Sequence, residues 1–547
     1  MARKSNRRPI WTIDAETDPF RKGRVPLPFI WGVYQEDGVY NEFEKTEDMI
    51  AYVSQHKVIA YAHNGGKFDW HFVTDYIEDF EPLTIINGRL AKFTIGECEL
   101  RDSFNIIPAP LSAYQKDEID YDIFEESERY KPKNWTKIRS YLKSDCIYLH
   151  EMIMEFVEEY GISLTQAGAA MKFWSKLTGT KKPQSSDMYY ERMSKYYYGG
   201  RVECFHKGII EEQFKVVDIN SAYPYAMTFE HPWGLAYNTY DEMPNISDEE
   251  LSRCFITLQA KSLGAFPYRT DKGLIFPNDN IHREFHITGW EYIAARDTGA
   301  LEMAKIISVK EYMETISFKE YVDHFFALKD EATKELAKAK ARNDQKGISL
   351  WSARRLFAKL FLNSLYGKFA SNPENYEEFM TLPASMIDAA LNEDGWFYCK
   401  LLSEETAIVN RPLEEEKRRY YDVAVAASIT GFVRSYLWRN IASTKGTILY
   451  CDTDSIAASY IDDIPISDRL GDWDLEAECD FAAIAGKKLY AFRKTNGEYK
   501  TASKGVRLSA EDIIDIAKGA EIVYEPDVPT FSVKRGIIFT PRTVRMT

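Results

Sequence analysis

Two aspartates one residue apart, where an apolar strand turns back on itself, constrain this chain more than any other feature. They lie in Tyr450-Cys451-Asp452-Thr453-Asp454-Ser455-Ile456. Residues i and i+2 of a strand share a face, so Asp452 and Asp454 are expected to aim at one spot. Carboxylates left unpaired among Ile, Leu and Tyr are costly to bury, so a cation is the expected counter-charge. A third acid, Asp218, ends the apolar strand Phe214-Lys215-Val216-Val217. Such a fold must bring separate strands to one charged point, the requirement of a two-metal phosphoryl-transfer centre.

A second set of acids lies near the N-terminus. Asp14 and Glu16 share a face of the first strand-like run, Ile10 to Glu16, which precedes a second at Ile30 to Tyr34. Asp69 closes His63-Asn64-Gly65-Gly66-Lys67-Phe68-Asp69. Asp145 follows Tyr141 by one turn on a helical stretch, residues 134–160, that buries Ile138, Leu142, Leu149 and Met152 and stops at Gly161. Four acids from three elements could hold two divalent cations about 4 Å apart, with Tyr141 orienting the attacking water. Singly, these runs also read as surface charge, a turn and a solvated helix position; their ordered combination points to a second metal centre.

Between the clusters, Asp218-Ile219-Asn220-Ser221-Ala222-Tyr223-Pro224 supplies one metal ligand and a tight turn whose N–H groups can meet phosphate oxygens. Tyr223 is expected beneath a nucleotide sugar, where its ring would exclude a 2′-hydroxyl. Residues 318–370 are strongly helical, and Asn343-Asp344-Gln345-Lys346-Gly347 breaks them into two antiparallel helices. On the second helix Arg355, Lys359, Asn363 and Tyr366 form one stripe, cationic at one end and aromatic at the other, suited to a triphosphate and a base pair. Gly367 then permits a close approach or ends the helix. Lys488 and Tyr490 could hold a primer phosphate and sugar.

At 547 residues the chain has room for about three or four domains. No apolar run reaches the roughly 18 residues that span a bilayer; the best, Val423 to Val433, is short and contains Ser, Thr and Gly. The basic start (Arg3, Lys4, Arg7, Arg8) meets Asp14 with no apolar segment between, so no signal peptide is read. The seven cysteines are dispersed without zinc-like spacing and are expected as free thiols in the cytoplasm. The net charge of −15 weighs mildly against nucleic-acid binding, although metal-site acids and an acidic outer face can mask a basic groove.

Eight runs taken in order resemble the motifs of a family B DNA polymerase, specifically the protein-primed kind of small tailed bacteriophages. Asp14-Ala15-Glu16-Thr17, Asn64 to Asp69 and Tyr141-x-x-x-Asp145 resemble the three exonuclease motifs. Tyr197-Tyr198-Gly199-Gly200 resembles the linker between exonuclease and polymerase. Asp218 to Pro224, Lys359 to Pro373, Tyr450 to Ser455 and Lys488-Leu489-Tyr490 resemble polymerase motifs A, B, C and K-x-Y.

The resemblance implies an α/β multi-domain protein with an RNase H-like 3′→5′ exonuclease domain and a right-hand polymerase with two insertions. Its expected divisions are exonuclease 1–163, palm 164–229, a first terminal-protein insertion 230–317, fingers 318–371, a second insertion 372–418, palm 419–503 and thumb 504–547. It implies metal ligation by Asp14, Glu16, Asp69 and Asp145, and by Asp218, Ile219, Asp452 and Asp454, with two Mg²⁺ per site and Mn²⁺ as the alternative. Lys116 matches a catalytic lysine of the exonuclease. Ser221, Tyr223, Lys329, Lys359, Asn363 and Tyr366 match the dNTP site. DNA contacts are implied for Thr17, His63, Asn64, Phe68, Phe72, Ser103, Phe104, Tyr121, Tyr197, Gly199, Gly200, Gly367, Lys488 and Tyr490.

The implied activity is DNA-directed DNA polymerisation with proofreading, in protein-primed, strand-displacing replication of a linear phage or plasmid genome. The implied partners are primer-template, single-stranded DNA, dNTPs and a terminal protein, with the chain a monomer in the host cytoplasm. The sequence departs from the family at Ala222, where Leu is usual, at Phe104, which also replaces Leu, and in about 30 residues between Lys329 and Lys359. Three rivals are a DNA-primed repair polymerase without a terminal protein, a repair nuclease with a vestigial polymerase half, and a non-catalytic DNA-binding protein. The full acid set in both clusters opposes the last two.

Overall fold

The computed structural model describes residues 7–393, 395–418, 421–461, 464–533 and 536–547, with the side chains of residues 304, 393 and 415 outside the description. Arg3 and Lys4 therefore lie outside the described residues.

The N-terminal unit is built on strand Ile10–Thr17, which pairs in parallel with Ile59–Ala62 and antiparallel with Pro28–Tyr34. Helix Pro132–Tyr160 covers it. Proline starts this helix, where a missing N–H is harmless, and Gly161 at φ +74° ends it. Its buried stripe is Ile138, Leu142, Leu149, Ile153 and Phe156, the spacing of one helix face. Tyr141 and Asp145 fall on the same buried side, so the helix carries its acid into the unit's interior rather than to solvent.

This sheet does not stop at the N-terminal residues. Strands Glu377–Pro383, Thr406–Pro412 and Phe397–Leu401, from the expected second insertion, extend it to ten strands. The joint is strand Glu377–Pro383 against Pro82–Ile86, with Phe379 opposite Leu83. Buried Thr381 locks the joint. Its backbone exchanges hydrogen bonds with Phe80 and Glu81, while its hydroxyl donates to the Glu78 carbonyl (2.7 Å) and accepts from the Glu81 N–H (2.8 Å).

A second sheet, of eight strands, runs Tyr499–Ser503, Leu489–Lys494, Trp473–Gly486, Phe214–Ile219, Ser455–Ala458, Ile448–Asp452 and Val202–Cys204, with Gly208–Ile210 beside Trp473–Gly486. Helix Val423–Ser443 lies in the core and is buried nearly all round. That enclosure explains its apolar sequence; among the described residues no helix is long and apolar enough to cross a membrane. Helices Lys319–Ala341 and Gln345–Phe369 pack antiparallel, as the 343–347 break predicts. Asp344 caps the second helix by accepting from Gly347 N–H, and Asn343 turns the chain at φ +54°. The second helix continues to Phe369, so Gly367 does not end it.

Residues of the expected first insertion form a separate four-stranded sheet: His231–Tyr240, Glu302–Ile316, Cys254–Lys261 and Arg283–Thr288. In the C-terminal segment, helix Ala510–Ala517 packs on the eight-stranded sheet, and ribbon Thr530–Ser532/Gly536–Ile538 reaches back to the N-terminal unit. No disulfide links any of the seven cysteines.

Replacing Thr381 by valine keeps the shape but strands the Glu81 N–H, a loss of about 1–3 kcal/mol. Amide hydrogen exchange at Phe80 and Thr381 should accelerate about 10–100-fold. Unchanged exchange there would show that the hydroxyl does not hold the joint.

Candidate active sites

Strand register decides the C-terminal cluster. Asp218 lies directly opposite Ser455, and Ser455 directly opposite Asp452. The Ile219 N–H donates to the Asp454 carbonyl at 2.8 Å, which sets Asp454 next to Asp218 on the neighbouring strand. The reason expected for Asp452 and Asp454 sharing a face does not hold, however. Thr453 adopts φ +62° and the Asp454 N–H returns to the Asp452 carbonyl (2.6 Å), so strand alternation is broken between them. Asp454 turns toward Asp218, whereas Asp452 is held by Lys488 Nζ at 2.8 Å and by the Thr453 hydroxyl at 3.0 Å.

The electrostatics agree. Burial, then the charges of Asp454, Glu476 and Asp474, push Asp218 up to about 7. Burial and Asp452 push Asp454 up to about 6. Glu476 escaped the sequence reading. It is the extra residue at a bulge, since Val216 pairs with Ala477 and Val217 with Leu475. Asp474 stands directly opposite Asp218, and Lys500 pairs with Glu476. The alternating acids of Asp474-Leu475-Glu476-Ala477-Glu478 were the available signal.

Of the residues assigned to a nucleotide, Tyr223 and Tyr366 lie close enough to Asp454 to feel its charge. Ser221 turns the chain at φ +55° into helix Ala222–Met227. Tyr223, on that helix, stacks on Tyr366 with ring centroids 4.3 Å apart and planes 9° apart. Arg355, Lys359, Asn363 and Gly367 are exposed along one side of their helix. Burial, with Lys359 and Arg355 close by, lowers the pKa of Lys329, so the three cations share one region. A side chain at Gly367 would meet nothing, leaving open space there. Tyr490 is buried and stacks on Phe492 at 4.3 Å, and Lys488 carries φ +58°.

The Tyr197–Gly200 segment is clamped from within. Arg434 of helix Val423–Ser443 donates to the Tyr198 carbonyl (2.6 Å), the Gly199 carbonyl (3.0 Å) and Glu291 Oε1 (2.7 Å). Arg434 and Glu291 are almost wholly buried. Next to it, the Arg201 carbonyl accepts from Thr453 N–H, and a Cβ at Gly200 would sit 2.8 Å from the Thr453 side chain. Glycine is required there to let the segment pass the acid hairpin. Gly199 is exposed, and the Tyr197 carbonyl accepts from Arg269 (2.9 Å).

The N-terminal cluster lines an 820 Å³ cavity with Asp14, Glu16, Asp145, Thr17, Asn64, Phe68, Lys116, Tyr121 and Tyr141 on its walls. Asp69 lies just behind, 2% exposed. Burial, then the neighbouring acids, raises Asp14 well above the carboxylate range and Glu16 to about 8. Burial lifts Asp69 to about 7, and it also raises Asp145. Lys116 Nζ is 3.5 Å from Asp145, and the Tyr121 and Tyr141 hydroxyls are 3.1 Å apart. One buried oxygen each of Glu16, Asp69 and Asp145 has no hydrogen-bond partner among the described residues.

Hard oxygen donors left unsatisfied in a polar cavity fit a divalent cation such as Mg²⁺. Among the described residues no three acids already close on one point as a ligand cage.

Other predicted DNA contacts divide into two groups. Phe68 and Phe72 stand edge to face at 5.3 Å. His63 and Ser103 are turned inward: the ring nitrogens of His63 meet Ser103 Oγ (3.0 Å) and the Ala109 carbonyl (2.9 Å), and the Ser103 hydroxyl donates to the Ala62 carbonyl. Ser103 is fully buried, and its hydroxyl holds the loop to strand Ile59–Ala62. Phe104 lies under the Arg89 guanidinium at 4.3 Å. Two wall residues were missed. Arg89 donates to Asn64 Oδ1 (2.6 Å), and Phe531, from the distant C-terminal ribbon, packs on Phe68 (5.2 Å) and Phe72 (6.0 Å). Their partners lie far off in sequence or depend on tertiary packing, which spacing does not record.

A family model described as DNA polymerase type B, organellar and viral, matches residues 110–428. The chain is 35% identical to the DNA-directed DNA polymerase of Enterobacteria phage PRD1 over 100% of both proteins. It is 23% identical to the DNA polymerase of Bacillus phage phi29 over 83% of this chain and 81% of that protein. The solved structure of phi29 DNA polymerase complexed with primer-template DNA and incoming nucleotide substrates superposes with a TM-score of 0.72 at 18% identity, covering 99% of this chain and 100% of that one. The multi-domain α/β fold is thus shared.

Arg434→Met would leave Glu291 charged and buried, at a cost of about 3–5 kcal/mol. Hydrogen exchange across Val423–Ser443 should accelerate accordingly, and adding Glu291→Gln should recover part of the protection. Unaltered exchange in the single variant would refute the clamp.

Proposed function

Because the chain belongs to the type B DNA polymerases of organelles and viruses, in the protein-primed phage branch, and is a DNA-directed DNA polymerase, we propose that it houses two separate metal-dependent centres. The C-terminal cluster extends a primer, and the N-terminal cluster trims a mispaired 3′ end. The register that seats Asp454 beside Asp218 carries this reading.

At the extending centre Asp218 and Asp454 would hold the metal pair, with Ile219 and Asp452 at its edge. Bound divalent ions lower the pKa of the primer 3′-hydroxyl and neutralise the leaving pyrophosphate. Lys359, Lys329 and Arg355 meet the triphosphate, and Ser221 turns backbone N–H groups toward it. Tyr223, braced flat on Tyr366, leaves no room for a 2′-hydroxyl. Asn363 and Gly367 border the new base pair. Lys488, tethered to Asp452, and Tyr490 steady the primer end, while Tyr197, Gly199 and Gly200 border the path between the centres.

At the trimming centre Asp14, Glu16, Asp69 and Asp145 would hold the metals. Lys116 and Tyr141 orient the attacking water, and Thr17, Asn64, Phe68, Phe72, Phe104 and Tyr121 grip the single strand. His63 and Ser103 shape the loop beneath it. Initiation from the hydroxyl of a terminal protein, followed by strand displacement, completes the reading.

Asp454→Asn should abolish primer extension by at least about 10³-fold while single-strand degradation persists. Asp14→Ala with Asp69→Ala should do the reverse. Loss of both activities in either variant would contradict two independent centres.

Incubation with labelled dNTP, DNA and the product of a neighbouring gene tests priming. Covalent label on that protein is the expected result; extension of DNA primers alone would instead support the DNA-primed repair polymerase.

A further inference from the structure

A cavity of 440 Å³ lies between the four-stranded insertion and helix Val423–Ser443, on a side of the molecule that neither acid cluster lines. Its walls are aromatic. Phe229 and Phe432 are 4.5 Å apart, Trp290 meets Phe432 at 83° and 5.0 Å, and Tyr436 continues the wall at 6.2 Å from Phe432. The polar tips of these rings are already used. Trp290 Nε1 donates to Ser428 (3.1 Å), and the Tyr436 hydroxyl donates to the Gly471 carbonyl (3.0 Å). With those donors engaged, the rings present the cavity with aromatic surface and no free N–H or O–H of their own.

Charges at the rim point the same way. Asp248 is taken by a two-pronged Arg296 pair (2.7 and 2.8 Å), and Asp297 takes Arg439 (2.8 Å). Those four groups neutralise one another. Glu230 and Glu249 remain, both exposed and without an ion pair among the described residues. An aromatic enclosure with surplus carboxylates repels phosphate and attracts a cation that also has an apolar stem.

The floor of this cavity is also the back of the nucleotide-gating helix. Tyr225, two residues after Tyr223, packs on Phe229 (5.1 Å), Phe432 (5.8 Å) and Tyr436 (5.8 Å). An occupant would sit one helix away from the ring stack that supports the incoming nucleotide.

We propose that this cavity binds the lysine or arginine side chain of a protein partner, the cation over the aromatic walls and its charge matched by Glu230 and Glu249. The claim does not depend on protein priming. It is tested on the full-length protein labelled with 5-fluorotryptophan, with the Trp290 signal assigned by Trp290→Phe. The probes are the pentapeptide Gly-Gly-Arg-Gly-Gly, its counterpart with Glu in place of Arg, and a short single-stranded oligonucleotide.

The arginine peptide should shift the Trp290 resonance saturably, and the glutamate peptide and oligonucleotide should not. Glu230→Lys with Glu249→Lys, both at exposed positions, should weaken the arginine response about tenfold or more while the other tryptophan signals hold their places. Equal responses to both peptides, a response to the oligonucleotide, or an undiminished response in the charge-reversed protein would overturn the proposal.

Discussion

Like charges crowded into a poorly hydrated sheet repel each other, and this molecule is organised around tolerating that repulsion at two places. Burial and neighbouring acids penalise the charged forms, pushing Asp218 up to about 7 and Asp454 up to about 6, and raising Glu16 and Asp69 as well. Asp218 and Asp454 are held by paired strands, whereas Asp14 and Glu16 on strand Ile10–Thr17 meet Asp69 from a short helical turn and Asp145 from helix Pro132–Tyr160. The stress makes a divalent cation welcome, since an ion of charge +2 relieves several repulsions together.

Rigid mounts need anchors, and the anchors are buried cations of another kind. Arg434 spans helix Val423–Ser443, the Tyr198–Gly199 carbonyls and Glu291 of the insertion. Glu291 also completes the capping box of its own helix Gly289–Asp297, accepting from the backbone N–H and hydroxyl of the N-cap Thr288. Arg201 joins Glu203 and the Gly264 carbonyl and lies over Phe276 at 4.2 Å. Buried pairs of this sort add little net stability, but breaking one is expensive. They therefore serve position more than stability, holding the chain that passes the acid hairpin.

The two halves are further joined by pieces of chain that arrive late in the sequence. Strand Glu377–Pro383 adds itself to the N-terminal sheet, and Phe531 closes on Phe68 and Phe72. A groove walled by both ends of the chain changes shape when either end moves, which gives a physical route for the C-terminal half to influence the N-terminal acid cluster.

Local patterns in the sequence carried much of this. The hairpin at Asp452, the helix stop at Gly161, the break at Asn343 and the exposed stripe Arg355-Lys359-Asn363 all follow from periodicity and turn chemistry, because they depend on neighbours within a few residues. Register, bulges and long-range closure did not. The γ-like turn at Thr453 interrupts the strand alternation that would align Asp452 with Asp454, the bulge at Glu476 brings in an acid with no motif of its own, and the inward turn of Ser103 depends on His63, 40 positions away. Spacing along a chain records which side chains a short element shares. Which acids finally face one another is an outcome of strand pairing and close packing, and only the folded chain resolves it.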